Sequence, residues 1–140
     1  MSDNPFVGTW TYRSLINDPN LATDFSTLEF GAGTLVITET APQTLGGTIG
    51  DTDWGPLELH GSMTYGFPSQ VRFQGKGLDN GEEWIYDYIG WLVPAWPNSN
   101  DRLQATAIVG SVVRTIPHSN GKGATNPAGV VASFYAVRQS

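Results

Sequence analysis

Apolar residues along the chain fall into short runs, each about the length of one β-strand and each bounded by glycine, proline or polar turn residues. The 17 glycines and nine prolines are spread along the chain and are not gathered into a linker. This punctuation is typical of many short strands, so the pattern predicts an all-β protein. The runs are residues 7–15, 26–30, 34–40, 44–50, 56–65, 70–76, 83–93, 103–115 and 130–138.

Turn residues between the runs predict how the strands connect. The glycines of residues 31–33 and 78–81 permit the backbone angles of tight hairpins, so each segment should join antiparallel neighbours. Asp18 before Pro19 is the only helical feature, and it predicts about one turn. A meander of about eight strands removes its exposed edges best by closing on itself. We therefore expect residues 1–140 to form one domain, a single antiparallel up-and-down closed β-barrel.

Alternation within the runs indicates which faces are buried. In the run 70–76, charged and amide side chains alternate with apolar or small residues, which predicts a wall with water outside. The runs 84–93 and 105–113 are apolar on both faces, and the simplest cover for the outer face is another subunit. We expect a homo-oligomer, a dimer or tetramer, formed through these strands. The alternative is that loop 94–101 or loop 117–128 folds over that face.

Composition narrows the classes of partner. The 140 residues include 13 Asp and Glu but only seven Lys and Arg, for a net charge of -6, so nucleic acid and anionic membranes are not expected to bind. Without cysteine, the chain has no disulfide, thiolate metal site or cysteine nucleophile. His60 and His118 lack further ligands at recognised spacings, so we expect no metal and no cofactor. No leader or long apolar run is present, which favours a cytoplasmic protein.

A short motif links the first strand to a known family. Gly8-Thr9-Trp10 resembles the glycine-x-tryptophan motif of the calycin barrels, which include lipocalins, fatty-acid-binding proteins and avidins. Avidin and streptavidin barrels are the most similar, because a Gly-Trp-Leu-Val segment at 90–93, a polar loop and a strand with threonine and valine-glycine at 105–110 follow in the same order. The resemblance implies a closed barrel with a ligand-binding lumen.

The resemblance implies the barrel fold but not the ligand of the avidins. Tyr12 and Ser14 follow the first tryptophan, and Ser111 stands where avidins have an aspartate, so the biotin-binding residues are not retained. Segments 112–118 and 127–134 are also similar to a group of small uncharacterised bacterial barrel proteins. Dirigent proteins and allene oxide cyclases, which steer or cyclise apolar intermediates, have more loosely related barrels. That relation keeps an enzymatic function open.

Asp87 is the first candidate for chemistry. It lies in mid-strand on an otherwise apolar face, where a carboxylate pairs with a cation or takes up a proton. One interpretation makes it a general acid or base, or an anchor for a polar ligand atom. The other makes it a water-facing residue or a structural ion-pair partner of Arg13, Arg72 or Arg114.

Glu58 and His60 form the second candidate. They belong to a strand with one polar and one apolar face. Most such polar faces are solvated exteriors. If this face instead turns inward, Glu58 and His60 become neighbours in the lumen and form an acid–base pair.

Aromatic residues are numerous enough to line a cavity, although inward side chains of small barrels also simply fill the interior. Strand parity places Tyr86 and Trp91 on opposite faces, so one of the two belongs to an interface. We expect a barrel that binds a small, largely apolar ligand. The alternatives are a cyclase or isomerase acting inside the barrel, and an interaction module with a packed barrel. The candidate ligand-binding residues are Trp10, Tyr12, Tyr86, Tyr88, Trp91, Asp87 and Arg114.

Overall fold

The computed structural model describes residues 4–98, 100 and 105–139, and eight strands of this part close into an antiparallel barrel. Each barrel strand pairs with its neighbours along the chain, and the last pairs with the first, as the sequence predicts for an up-and-down barrel. A two-stranded hairpin, β8 with β9, is inserted before the last barrel strand. The elements are β1 Gly8–Ile16, α1 Phe25–Leu28, β2 Glu29–Ala41, β3 Thr44–Gly50, β4 Leu57–Thr64, β5 Gln70–Asp79, β6 Glu82–Val93, β7 Ala107–Arg114, β8 His118–Ser119, β9 Thr125–Asn126 and β10 Val131–Arg138.

The hairpin predicted at residues 31–33 is wrong. Strand β2 runs straight through residues 31–33 and pairs with β1 on one side and β3 on the other. Glycine is needed at Gly33 for close packing, because a Cβ there would lie 2.3 Å from the carbonyl oxygen of Gly50. The hairpin between β5 and β6 is confirmed, with Asn80 and Gly81 at φ 53° and 81°.

The single helical turn lies later in the chain than expected. Asp24, not Asp18, caps α1, and its side chain accepts a hydrogen bond from the backbone N–H of Ser26. The Asp18 carboxylate instead accepts from the backbone N–H of Asn20, which forms a turn and not a helix. In the described part of the chain, no helix has the length and hydropathy needed to cross a bilayer.

The end of the barrel near the start of β1 is closed by packed side chains. Trp10 is fully buried and donates from Nε1 to the carbonyl oxygen of Phe6 at 3.0 Å, so the segment before β1 plugs the lumen. The guanidinium carbon of Arg138 lies 4.3 Å from the Trp10 ring centroid, and its Nη1 donates to the carbonyl oxygen of Val7 at 2.9 Å. These contacts tie the first and last barrel strands together.

Strands β6 and β7 carry apolar side chains on both faces, as expected, and β10 does so as well. Tyr86 and Tyr88 of β6 point inward, whereas Trp91 lies on the outer wall beside Val109 of β7 and Tyr135 of β10. These three outer side chains are 37–39% exposed, so residues of the described loops do not bury them. The predicted loop 94–101 lies partly outside the described residues.

Candidate functional site

A cavity of about 160 Å³ lies at the barrel end opposite Phe6, and we call it the mouth pocket. It forms where β1 and β7 end, β2 and β6 begin, and the connection from β3 to β4 approaches the axis. Its walls are mostly aromatic, and a few polar atoms reach it. The lining residues are Tyr12, Ser14, Phe30, Gly31, Trp54, Trp84, Tyr86, Tyr88, Arg114, His118 and Asn126.

Stacked rings form one side of the mouth pocket. The rings of Trp84 and His118 lie parallel within 13°, with centroids 4.0 Å apart, and Trp54 stacks on Trp84 at 6.4 Å. Trp54 is fixed by donating from Nε1 to the carbonyl oxygen of Ala32 at 3.0 Å. The β8–β9 hairpin carries His118, and Glu82 anchors it by accepting from the backbone N–H of the residue after His118 at 2.9 Å. The hairpin thus covers the barrel end, not the outer wall.

A chain of three polar side chains crosses the mouth pocket. Arg114 Nε donates to the Tyr86 hydroxyl at 3.0 Å, and that hydroxyl lies 2.7 Å from Nε2 of His118. His118 Nδ1 is 2.9 Å from the carbonyl oxygen of Ser119, which only accepts, so the proton of the neutral ring resides on Nδ1. Nε2 is then the acceptor, and Tyr86 donates to it. This chain fixes the orientation of all three side chains.

Tyrosines continue the wall into the barrel. Tyr12 meets Tyr88 edge-on with ring centroids 6.0 Å apart, and Tyr88 stacks on Phe73 at 4.7 Å. Burial raises the pKa of Tyr12. Burial also raises the pKa of Tyr86, and the nearby Arg114 guanidinium offsets part of that rise. Burial also raises the pKa of Tyr88 well above its usual value. The three hydroxyls therefore stay protonated and able to donate hydrogen bonds at neutral pH.

Raising the pH above about 10 is expected to destabilise the fold. The folded chain holds protons on Tyr12, Tyr86 and Tyr88 that the unfolded chain releases near pH ~10. This stabilisation is complete below the unfolded-state pKa and is lost as the pH rises through the folded-state values. Denaturant midpoints measured between about pH 8 and 12 test this. Tyr88→Phe should make the decline shallower, and an unchanged slope would contradict the assignment.

The predicted ligand-binding residues divide between the two ends and the two faces of the barrel. Tyr12, Tyr86, Tyr88 and Arg114 all line the mouth pocket, so the structure brings these four together. Trp10 also points inward, but it lies in the closed end and does not border the cavity.

Asp87 and Trp91 lie on the outer wall, as their shared strand parity requires. The Asp87 carboxylate accepts from Gln74 Nε2 at 3.1 Å and from the Thr115 hydroxyl at 2.5 Å. The interpretation of Asp87 as an ion-pair partner of an arginine is wrong for the described residues, because the neutral neighbours Gln74 and Thr115 provide its side-chain partners.

Glu58 and His60 are also outside the barrel. His60 Nε2 lies 2.8 Å from a Glu58 carboxylate oxygen, and both side chains are about 70% exposed. The condition for an acid–base pair in the lumen is therefore not met. Among the described residues, no group of three or more His, Asp or Glu side chains is placed to hold a metal ion.

No family model, curated protein or solved structure matches this chain. Of the expected calycin-type barrel, the structure shows the general feature, a closed barrel of eight antiparallel strands. The function must therefore be argued from the mouth pocket itself.

Seven residues that line the mouth pocket were not among the predicted site residues: Ser14, Phe30, Gly31, Trp54, Trp84, His118 and Asn126. Trp54, Trp84 and His118 are the three that form its stacked side. Trp54 lies in a polar turn and His118 in a glycine-rich connection. Neither belongs to a run of alternating apolar and polar residues, so the sequence does not indicate which way either side chain points. Trp84 was recognisable as an inward aromatic from its parity with Tyr86 and Tyr88. For Trp54, a large aromatic side chain inside a polar turn is the sequence signal that could have indicated a role at this barrel end.

Proposed function

We propose that this protein binds a small molecule with about one aromatic ring in the mouth pocket. The observation that carries the proposal is the cavity of about 160 Å³ with aromatic walls and a fixed polar edge. A cavity of about 150 Å³ accommodates benzene, so one ring matches the volume. Aromatic walls offer stacking and edge contacts, and the hydroxyl and guanidinium groups orient a polar substituent.

The filled closed end supports a compact ligand over an extended one. Trp10, Leu35 and Ile108 are fully buried below the tyrosines, so the lumen offers no continuous tunnel for an acyl chain. The hydrogen bonds among Arg114, Tyr86 and His118 hold the pocket in shape before a ligand arrives, which lowers the ordering cost of binding. A calycin-type, avidin-like relationship is part of this proposal, supported by the Trp10 motif and the strand order.

Neutral single-ring compounds test this function. Phenol, benzyl alcohol and benzamide should each perturb the fluorescence of Trp54 and Trp84 and give saturable binding by titration. Gly31→Leu should abolish it, because Gly31 borders the cavity and a Cβ there meets only ordinary contacts, the nearest at 3.4 Å from Ser14 Oγ. Its control is Thr34→Leu, which adds a similar side chain to an exposed position of the same strand.

Two results would contradict the ring-binding function. One is the absence of saturable binding for all three compounds in folded protein. The other is equal weakening by Gly31→Leu and Thr34→Leu, which would place the bound compound outside the mouth pocket. Native mass spectrometry of protein from its own host then identifies a retained ligand directly.

Binding is better supported than the cyclase or isomerase alternative. The proposed proton-transfer groups Asp87, Glu58 and His60 lie on the outer wall, and the residues that line the mouth pocket include no carboxylate. An enzyme of this kind would have to move a proton through Tyr86 and His118. The cavity itself also argues against a fully packed barrel that serves only as an interaction module.

The outer wall of β6, β7 and β10 is proposed to meet a second copy of the chain. Trp91, Val109 and Tyr135 face one another in register across the three strands, and the carboxylate of Asp87 beside them is already hydrogen-bonded. Asp87 and Arg13 are charged residues next to this apolar patch; Asp87 accepts hydrogen bonds from Gln74 and Thr115, and Arg13 donates to the Tyr135 hydroxyl at 3.1 Å. A second copy would therefore make its apolar contact on Trp91 and Val109.

Light scattering tests the second-copy contact. The unchanged protein should run as a dimer or larger, and Val109→Lys should shift it to monomer because it buries a charge in the contact. Thr48→Lys, at an exposed position of β3, is the control. A monomer at all concentrations would refute the contact.

A further inference from the structure

Arg114 is a buried cation that has no carboxylate partner among the described residues. Its side chain borders the mouth pocket, yet the residue is only 8% exposed. The ion pairs of the described part of the chain involve His60 with Glu58 and Lys76 with Glu83, and neither reaches Arg114. A buried guanidinium without an opposite charge is costly, so such a group is usually paired.

The hydrogen bonds of Arg114 leave one side of its guanidinium unused. Nε donates to the Tyr86 hydroxyl at 3.0 Å and Nη1 to the carbonyl oxygen of Pro127 at 3.1 Å. Nη2 carries two further N–H groups, and no described residue accepts from them. No fully buried nitrogen or oxygen of the described side chains lacks a partner, so Nη2 must reach open space. The open space that Arg114 borders is the mouth pocket.

Neighbouring groups fix the guanidinium without neutralising it. Its carbon lies 4.9 Å from the Phe30 ring centroid and 5.8 Å from that of Tyr86, so both rings hold it in place. Asp53, Asp79 and Glu82 line an adjoining cavity that shares Trp84, His118 and Asn126 with the mouth pocket, but none of the three carboxylates lines the mouth pocket itself. Asp79 and Glu82 accept from the backbone N–H groups of Gly55 and Ser119. The lining of the mouth pocket therefore contains the Arg114 cation and no carboxylate.

We propose that the mouth pocket takes a single-ring carboxylate, with the ring between the aromatic walls and the carboxylate on Arg114 Nη2. This inference rests on the proposed ring-binding function and adds the charge of the ligand. A monoanion matches the site, because Arg114 is the one Lys or Arg among the residues that line it. A carboxylate also matches the planar N–H groups of a guanidinium and gives stronger hydrogen bonds than a neutral acceptor.

Benzoate and benzamide are the matched probes, since they share ring and shape and differ in charge. By calorimetric titration, benzoate should bind at least about tenfold more tightly than benzamide. Arg114→Gln should bring the affinity for benzoate down to that for benzamide. Arg72→Gln removes the same charge from the exposed outer wall and should leave both affinities within about twofold.

The outcomes separate this inference from the function on which it rests. If benzamide binds as tightly as benzoate, or if Arg114→Gln and Arg72→Gln weaken benzoate equally, the carboxylate assignment is overturned and ring binding remains. If neither probe binds, both proposals fail. Should Arg114→Gln not fold, the comparison of the two probes on the unchanged protein still decides the question.

Discussion

Trp10→Ala is expected to lower the free energy of unfolding by about 3–5 kcal/mol. Trp10 is fully buried at the closed end, where it donates to the carbonyl oxygen of Phe6 and supports the guanidinium of Arg138. Its removal leaves a cavity and ends both contacts, so the plug before β1 and the pairing of the first with the last strand weaken together. Denaturant unfolding followed by circular dichroism measures the loss.

Trp96→Ala provides the matched control for Trp10→Ala. Trp96 is 59% exposed in the connection after β6, so its truncation should change the free energy of unfolding by no more than about 0.5 kcal/mol. Trp10→Phe should fall between the two, since it keeps a ring but loses the Nε1 hydrogen bond. A loss below about 1 kcal/mol for Trp10→Ala would show that the closed end is not part of the cooperative core.

Gly47→Ala is expected to cost at least about 2 kcal/mol of unfolding free energy. Gly47 has a φ of 130°, a conformation that residues with a side chain rarely adopt, and a Cβ there would lie 1.8 Å from the carbonyl oxygen of Val36. Strand β3 would have to separate from β2 to admit the methyl group. Thermal or denaturant unfolding measures the cost.

The neighbouring Gly46→Ala separates this strain from the general effect of losing a glycine. The atom closest to a Cβ at Gly46 is the methyl group of Thr40 at 3.0 Å, and Thr38 Oγ1 and the carbonyl oxygen of Leu59 lie at ordinary contact distances of 3.6 and 3.7 Å, so the change should stay within about 1 kcal/mol. Equal losses for Gly46→Ala and Gly47→Ala would mean that the pairing of β2 with β3 does not depend on the unusual backbone of Gly47.

The mouth pocket shows where local pattern was a sufficient guide and where it was not. Tyr12, Tyr86 and Tyr88 were predicted as wall residues because strand parity is a local property that survives folding. His118 was considered only as a possible metal ligand, because its place beside Trp84 depends on a hairpin whose return path has no periodic pattern. The predicted turn at residues 31–33 failed because glycine serves equally for turns and for close strand contacts.

The amino-acid sequence alone determined the all-β class, the meander of short strands, the closure into a barrel and the opposite faces of Tyr86 and Trp91. These follow from period-two alternation and turn residues, which act between neighbours along the chain. Only the tertiary structure decided which barrel end is filled, that Asp87 has neutral partners outside, and that Arg114 faces a cavity. Those features depend on residues far apart in sequence, and no local pattern encodes which distant side chains will meet.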